Sequence, residues 1–84
     1  MPVVLRIRGY RFWFYEADLD EPPHVHVGKQ SGEAKYWLNP VALSKSRGFR
    51  EHELADIQGI LAEYSGEILE AWRREDVKRG HREG

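Results

Sequence analysis

The 84-residue chain has no cysteine. Disulfides and thiolate metal sites are therefore excluded, and the composition fits a reducing compartment. It also lacks an excess of either charge, with 13 Lys and Arg against 14 Asp and Glu and a net charge of -1. Affinity for nucleic acid would have to come from a local patch and not from the chain as a whole. Long apolar runs are absent too. The opening MPVVLRIRGY is too short for a signal peptide, and nothing approaches the roughly 20 apolar residues of a membrane helix. No repeat is present. These absences lead to the expectation of a soluble, cytoplasmic protein with no membrane partner. The length allows one domain with one modest core.

What is present is alternation. In VVLRIRGYRFWFY, residues 3–15, apolar and basic residues alternate on both sides of a glycine, the pattern of a β-hairpin. A two-residue turn at Gly9-Tyr10 sets Arg8 opposite Arg11, Ile7 opposite Phe12, Arg6 opposite Trp13 and Leu5 opposite Phe14. HVHVGKQSGEAKYW, residues 24–37, reads as a second hairpin. A four-residue turn at Lys29-Gln30-Ser31-Gly32 sets Val27 opposite Ala34, His26 opposite Lys35, Val25 opposite Tyr36 and His24 opposite Trp37. Opposed residues share a face and side chains alternate along a strand. One face then carries Val3, Leu5, Ile7, Phe12, Phe14, Val25, Val27, Ala34, Tyr36 and Leu38, which is a core. The other carries Arg6, Arg8, Arg11, Trp13, Tyr15, His24, His26, Glu33, Lys35 and Trp37.

Between the hairpins, EADLDEPP is acidic and ends in Pro22-Pro23, an exposed connection leading into extended backbone. After Asn39-Pro40, Val41-Ala42-Leu43 is either a short fifth strand or an apolar tuck, and residues 44–48 read as a polar turn. Phe49 has the position of a helix-stapling residue. From Glu51 to Glu75 the apolar positions Leu54, Ile57, Ile60, Leu61, Tyr64, Ile68, Leu69, Ala71 and Trp72 recur in steps of three and four, the helical period. Ile60 and Leu69 lie off the centre of that stripe. Gly59 and Gly66 interrupt the pattern, yet its phase carries through, so one helix or two nearly collinear ones are expected. The expected fold is α+β: a small antiparallel sheet of two hairpins in the order β-β-β-β, extended by a short fifth strand if Val41-Ala42-Leu43 pairs, covered on one face by a C-terminal helical element. The domain spans residues 1–76, followed by a charged, flexible tail at 77–84.

One helix covers one face, so the basic, aromatic face is left without a lid. Exposed aromatics with arginine are typical of protein interfaces. The first expectation is therefore a non-enzymatic interaction module that uses Arg6, Arg8, Arg11, Trp13, Tyr15 and Trp37 to bind a partner protein or a second copy of itself. The second is an RNA-binding protein or metal-independent ribonuclease. Here His26 and His24 with Lys35 and Glu33 would supply base, acid and cation for phosphodiester cleavage, and the aromatics would stack bases. The third is a metal-binding regulator through the His24-x-His26 pair, which lacks an evident third ligand. No cofactor is expected.

The string PPHVHVGKQSGEAKYWLNPVALSKSRGF, followed by HELADI and EILEAW, resembles a family of small prokaryotic proteins, domain of unknown function 4160. The matching positions are Pro22, Pro23, His24, His26, Gly32, Glu33, Ala34, Lys35, Trp37 and Leu38, and the likeness extends from the first hairpin to Trp72. The resemblance implies membership in a two-gene, toxin–antitoxin-like module, with a protein partner encoded by the neighbouring gene. It implies no catalytic residues.

Overall fold

The computed structural model describes residues 3–15 and 20–78, with side chains for 5–15 and 20–75. Five strands and one helix follow one another: β1 (Val3–Ile7), β2 (Tyr10–Trp13), β3 (His24–Lys29), β4 (Gly32–Leu38), β5 (Val41–Arg47) and α1 (Glu51–Lys78). The strands form one antiparallel sheet in the order β1-β2-β3-β4-β5, each beside its neighbour in sequence. The helix covers one side, which gives the expected two-layer α+β architecture.

The first hairpin turns one residue earlier than its sequence suggests. Arg8 and Gly9 form the turn, with φ of 55° and 84°. Positive φ at both central residues defines the type I′ turn, whose twist matches that of the flanking strands, and a glycine at the second position makes it accessible. Ile7 consequently pairs with Tyr10, Leu5 with Phe12 and Arg6 with Arg11, while a bulge between Val3 and Leu5 brings Val3 opposite Trp13. From Leu5 to Ile7 the expected partners are thus displaced by two positions along β2, an even slip that keeps Leu5, Arg6, Ile7, Arg11 and Phe12 on their expected faces. Tyr10 is the exception to the expectation: instead of occupying the turn it is a buried strand residue.

The second hairpin has the expected pairs, from His24 with Trp37 to Val27 with Ala34. Its turn is tighter, because Lys29 and Gly32 also pair and leave only Gln30-Ser31 between the strands. The fifth strand is the largest departure. It runs the full seven residues of Val41–Arg47 and follows β4 after the two residues Asn39-Pro40, whose peptide bond is cis. The segment expected to be a polar turn, 44–48, is mostly strand.

The helix is continuous over 28 residues. Gly59 and Gly66 do not break it, and a Cβ at either would touch nothing within 4 Å. Its start is specified locally. The Leu54 amide donates to the Arg50 carbonyl at 3.0 Å, and Glu53 Oε1 accepts from the Arg50 amide at 2.8 Å. That second bond is one arm of a capping box. Phe49 and Leu54 hold the two staple positions around it, as the sequence suggested for Phe49. The helix continues through residues 77 and 78, where a tail was expected; 79–84 lie outside the described residues.

The core between the layers joins Tyr10, Phe12, Phe14, Val25, Val27, Ala34, Tyr36 and Leu38 of the β half to Ile57, Ile60, Leu61, Ile68 and Trp72 of α1. Leu5 and Ile7 pack at its margin. Ile60, off-centre in the helical stripe, belongs to this same core and not to a second contact. Tyr36 is fully buried, and its hydroxyl donates to the Leu54 carbonyl at 3.2 Å. Burial first, and then the neighbouring Tyr10, pushes its phenol above the ordinary value. The Tyr10 phenol is raised as well, by burial and by Asp56 and Glu53.

A candidate binding face on the open side of the sheet

Strand register arranges the uncovered side into rows that run across the strands, which lie about 4.8 Å apart. One row reads Trp13, His26, Lys35, Lys45; the next reads Arg6, Arg11, Gly28, Glu33, Arg47; a third reads His24, Trp37, Ala42. The expected members Arg6, Arg11, Trp13, His26, Glu33, Lys35 and Trp37 therefore do share one side. Arg8 does not join the rows, because it occupies the turn. The like-charged pair across the first hairpin is consequently Arg6 with Arg11, not Arg8 with Arg11.

Two side chains that were expected to be available to a partner are buried. Trp13 is only 8 % exposed. Its indole stacks on the His26 imidazole (5.9 Å between centroids, 22° between planes) and meets the edge of Tyr15 at 6.3 Å. The room for it comes from Gly28, where a Cβ would lie 3.0 Å from the indole and 3.1 Å from the Arg11 guanidinium. The Arg11 guanidinium lies 6.0 Å from the indole centroid. Trp13 is absent from the helix-side core, so it forms a small apolar cluster of its own on the open side.

His24 is fully buried at the end of the sheet. Its ring touches His26 and Trp37 on one side and Trp72 of the helix on the other, at 5.3, 5.5 and 5.2 Å. Nδ1–H donates to the Pro22 carbonyl at 3.0 Å, with Glu21 Oε1 at 3.7 Å. This histidine is a packing residue between helix and sheet, enclosed away from any ligand on the open side. The expected His24–His26 acid–base or ligand pair is thus divided by burial. Among the described residues, no group of three or more His, Cys, Asp or Glu gathers at metal-binding spacing.

What stays open is a groove of about 350 Å³ whose lining includes Tyr15, His26, Glu33, Lys35, Lys45 and Arg47. Tyr15 is 43 % exposed and meets the His26 ring at 4.9 Å. The cations differ in how they are compensated. Lys35 Nζ binds Glu21 Oε1 at 3.1 Å and lies 4.7 Å from the Trp37 ring centroid. Arg47, 81 % exposed at its side chain, reaches back to Glu33 Oε1 at 2.8 Å. Lys45 has no carboxylate within ion-pair distance among the described residues. It also stands directly opposite Lys35, and like charges so placed repel.

Lys45 and Arg47 were not singled out in the sequence, because Ser44-Lys45-Ser46-Arg47 has the composition of a loop. The usable signal was the Asn39-Pro40 turn, followed by cations alternating with serines at the strand period of two.

Residues 9–73 match the model of the family described as Domain of unknown function (DUF4160). The chain belongs to that family. The match begins in the first turn and ends just past Trp72, so β1 lies outside it. No curated protein matches the chain, and no solved structure does.

Proposed function

We propose that this DUF4160 protein is a non-catalytic interaction module whose open sheet side binds an acidic segment of a partner protein. The observation that carries the reading is the groove beside β5, where Lys45 has no carboxylate partner among the described residues and faces Lys35. An incoming carboxylate relieves that repulsion, and charge complementarity of this kind supplies specificity and orientation. A partner with its own basic face is repelled, so two copies meeting open side to open side are disfavoured. In a two-gene module of the type implied by the resemblance, the neighbouring gene product is the natural candidate.

The ribonuclease reading is less well supported. Its two histidines would need a common solvent-accessible site, whereas His24 is enclosed. Base stacking would need several exposed rings, whereas among the described residues Tyr15 is the one aromatic of the exposed large hydrophobic side chains. The test is co-expression of the full chain with the neighbouring gene product, followed by pull-down. The paired charge reversals Lys45→Glu and Arg47→Glu should eliminate the complex while lowering the unfolding free energy by no more than about 1 kcal/mol. A complex that survives both reversals rules the groove out. Capture of RNA in place of protein selects the other reading.

A further inference from the structure

Beyond the groove itself, β5 is the border strand of the sheet and pairs with β4 alone. Beyond its pairing with β4, its backbone makes no hydrogen bond to main chain among the described residues. An edge of this kind is a template for another strand unless something covers it. Both sides of β5 also carry a side chain in want of a neighbour. On the open side Lys45 lacks a carboxylate among the described residues. On the helix side, Leu43 pairs in register with the buried Tyr36 and so points the same way, yet it remains 44 % exposed. The helix reaches the core below Tyr36 but leaves this leucine partly exposed. Ser44 is the extra residue of a bulge, since Lys35 pairs with Lys45 while Tyr36 pairs with Leu43. It reverses the ordinary alternation and delivers these two side chains to opposite sides only two residues apart.

We infer that the partner segment binds as an added strand on β5, in an extended conformation with acidic and aliphatic residues alternating. Backbone hydrogen bonds along Val41–Arg47 supply affinity, acids on one side meet Lys45 and Arg47, and an aliphatic side chain on the other covers Leu43. This is the logic of strand addition, in which main chain gives adhesion and alternate side chains give selection. The same cations discourage pairing between two copies, because β5 contains Lys45 and Arg47 and no acid. The inference deepens the proposed function and rests on it.

The probe is a capped seven-residue peptide alternating Glu and Val, titrated into the full chain and followed by amide shifts in a 15N–1H spectrum. Two further peptides serve as controls: one alternating Lys and Val, and the Glu-Val peptide N-methylated at every second residue. The expected result is shifts centred on Val41–Arg47, affinity reduced at least about tenfold by N-methylation, and no binding of the Lys-Val peptide. Lys45→Glu should weaken binding by about tenfold, which corresponds to about 1.4 kcal/mol, and Leu43→Ser by a smaller factor.

Equal binding of the N-methylated peptide, still abolished by Lys45→Glu, overturns strand addition and leaves the charged groove standing. Absence of binding at millimolar peptide also overturns strand addition, while the co-expression experiment decides the groove separately. Binding that ignores both N-methylation and Lys45→Glu overturns the two readings together.

Discussion

The two sides of this sheet handle aromatic residues differently. Under the helix, Phe12, Phe14 and Tyr36 are sealed by Ile57, Leu61, Ile68 and Trp72, so their burial comes from a second layer of structure. On the open side the described residues form no second layer, and Trp13 is buried by its neighbours in the same layer: the Gly28 backbone beneath it, the His26 ring against its face and Tyr15 at its edge. An exposed sheet side can thus hide an indole if a glycine on the adjacent strand lets the ring lie flat. An aromatic residue on an uncovered side is therefore not by itself a docking anchor. What the open side offers to a partner is charge and an edge.

The largest expected effect tests the covered side. Phe12→Ala should cost about 3–5 kcal/mol, a large part of the stability of a domain this size, and urea denaturation should show a largely unfolded population. Trp13→Ala removes a ring of greater area but from a self-sealed cluster, and should cost about 1.5–3 kcal/mol. If the two losses are equal in urea, the distinction between the sides fails.

Tyr36→Phe comes next, with loss of one hydrogen bond to Leu54 and about 1 kcal/mol. It also sharpens the comparison through pH. The Tyr36 and Tyr10 phenols titrate above their ordinary value of about 10 in the fold, so the unfolded chain ionises first. Their contribution is fully present below about pH 10 and is lost as pH rises through the folded values. Urea midpoints from pH 8 to 11 should therefore decline at the alkaline end, less steeply in Tyr36→Phe. The smallest effect is a gain: Gly59→Ala and Gly66→Ala on the outer side of α1 should each stabilise by up to about 1 kcal/mol. Nothing stands within 4 Å of the added carbon, so a loss in either would mean that this side of the helix is not free.

Much of the fold is legible in the sequence because strand alternation has a strict period. The second hairpin register follows from HVHV and AKYW directly. The first slips by two positions, because Arg8 takes a left-handed conformation that favours glycine or asparagine, and only the Gly9 beside it hints at this. The helix is legible through Ile57, Leu61, Ile68 and Trp72. β5 is legible only at Val41-Ala42-Leu43, since serine and lysine favour neither strand nor core and their pairing with β4 is decided by tertiary contact. Because the groove takes Lys45 and Arg47 from that strand, two of its three lysine and arginine side chains were out of sight with it. The burial of His24 was likewise hidden, since strand alternation says nothing about a helix end closing over the end of the sheet.

The unequal distribution of charge over the two layers has a kinetic consequence. Glu51, Asp56, Glu63, Glu67 and Glu70 occupy exposed positions of α1, whereas Arg6, Arg11, Lys35, Lys45 and Arg47 stand on the opposite side of the sheet. The two layers of a nearly neutral molecule thus differ in charge, and the acidic partner proposed above would be steered toward the sheet side before contact. Its association rate, far more than its dissociation rate, should then slow as ionic strength rises.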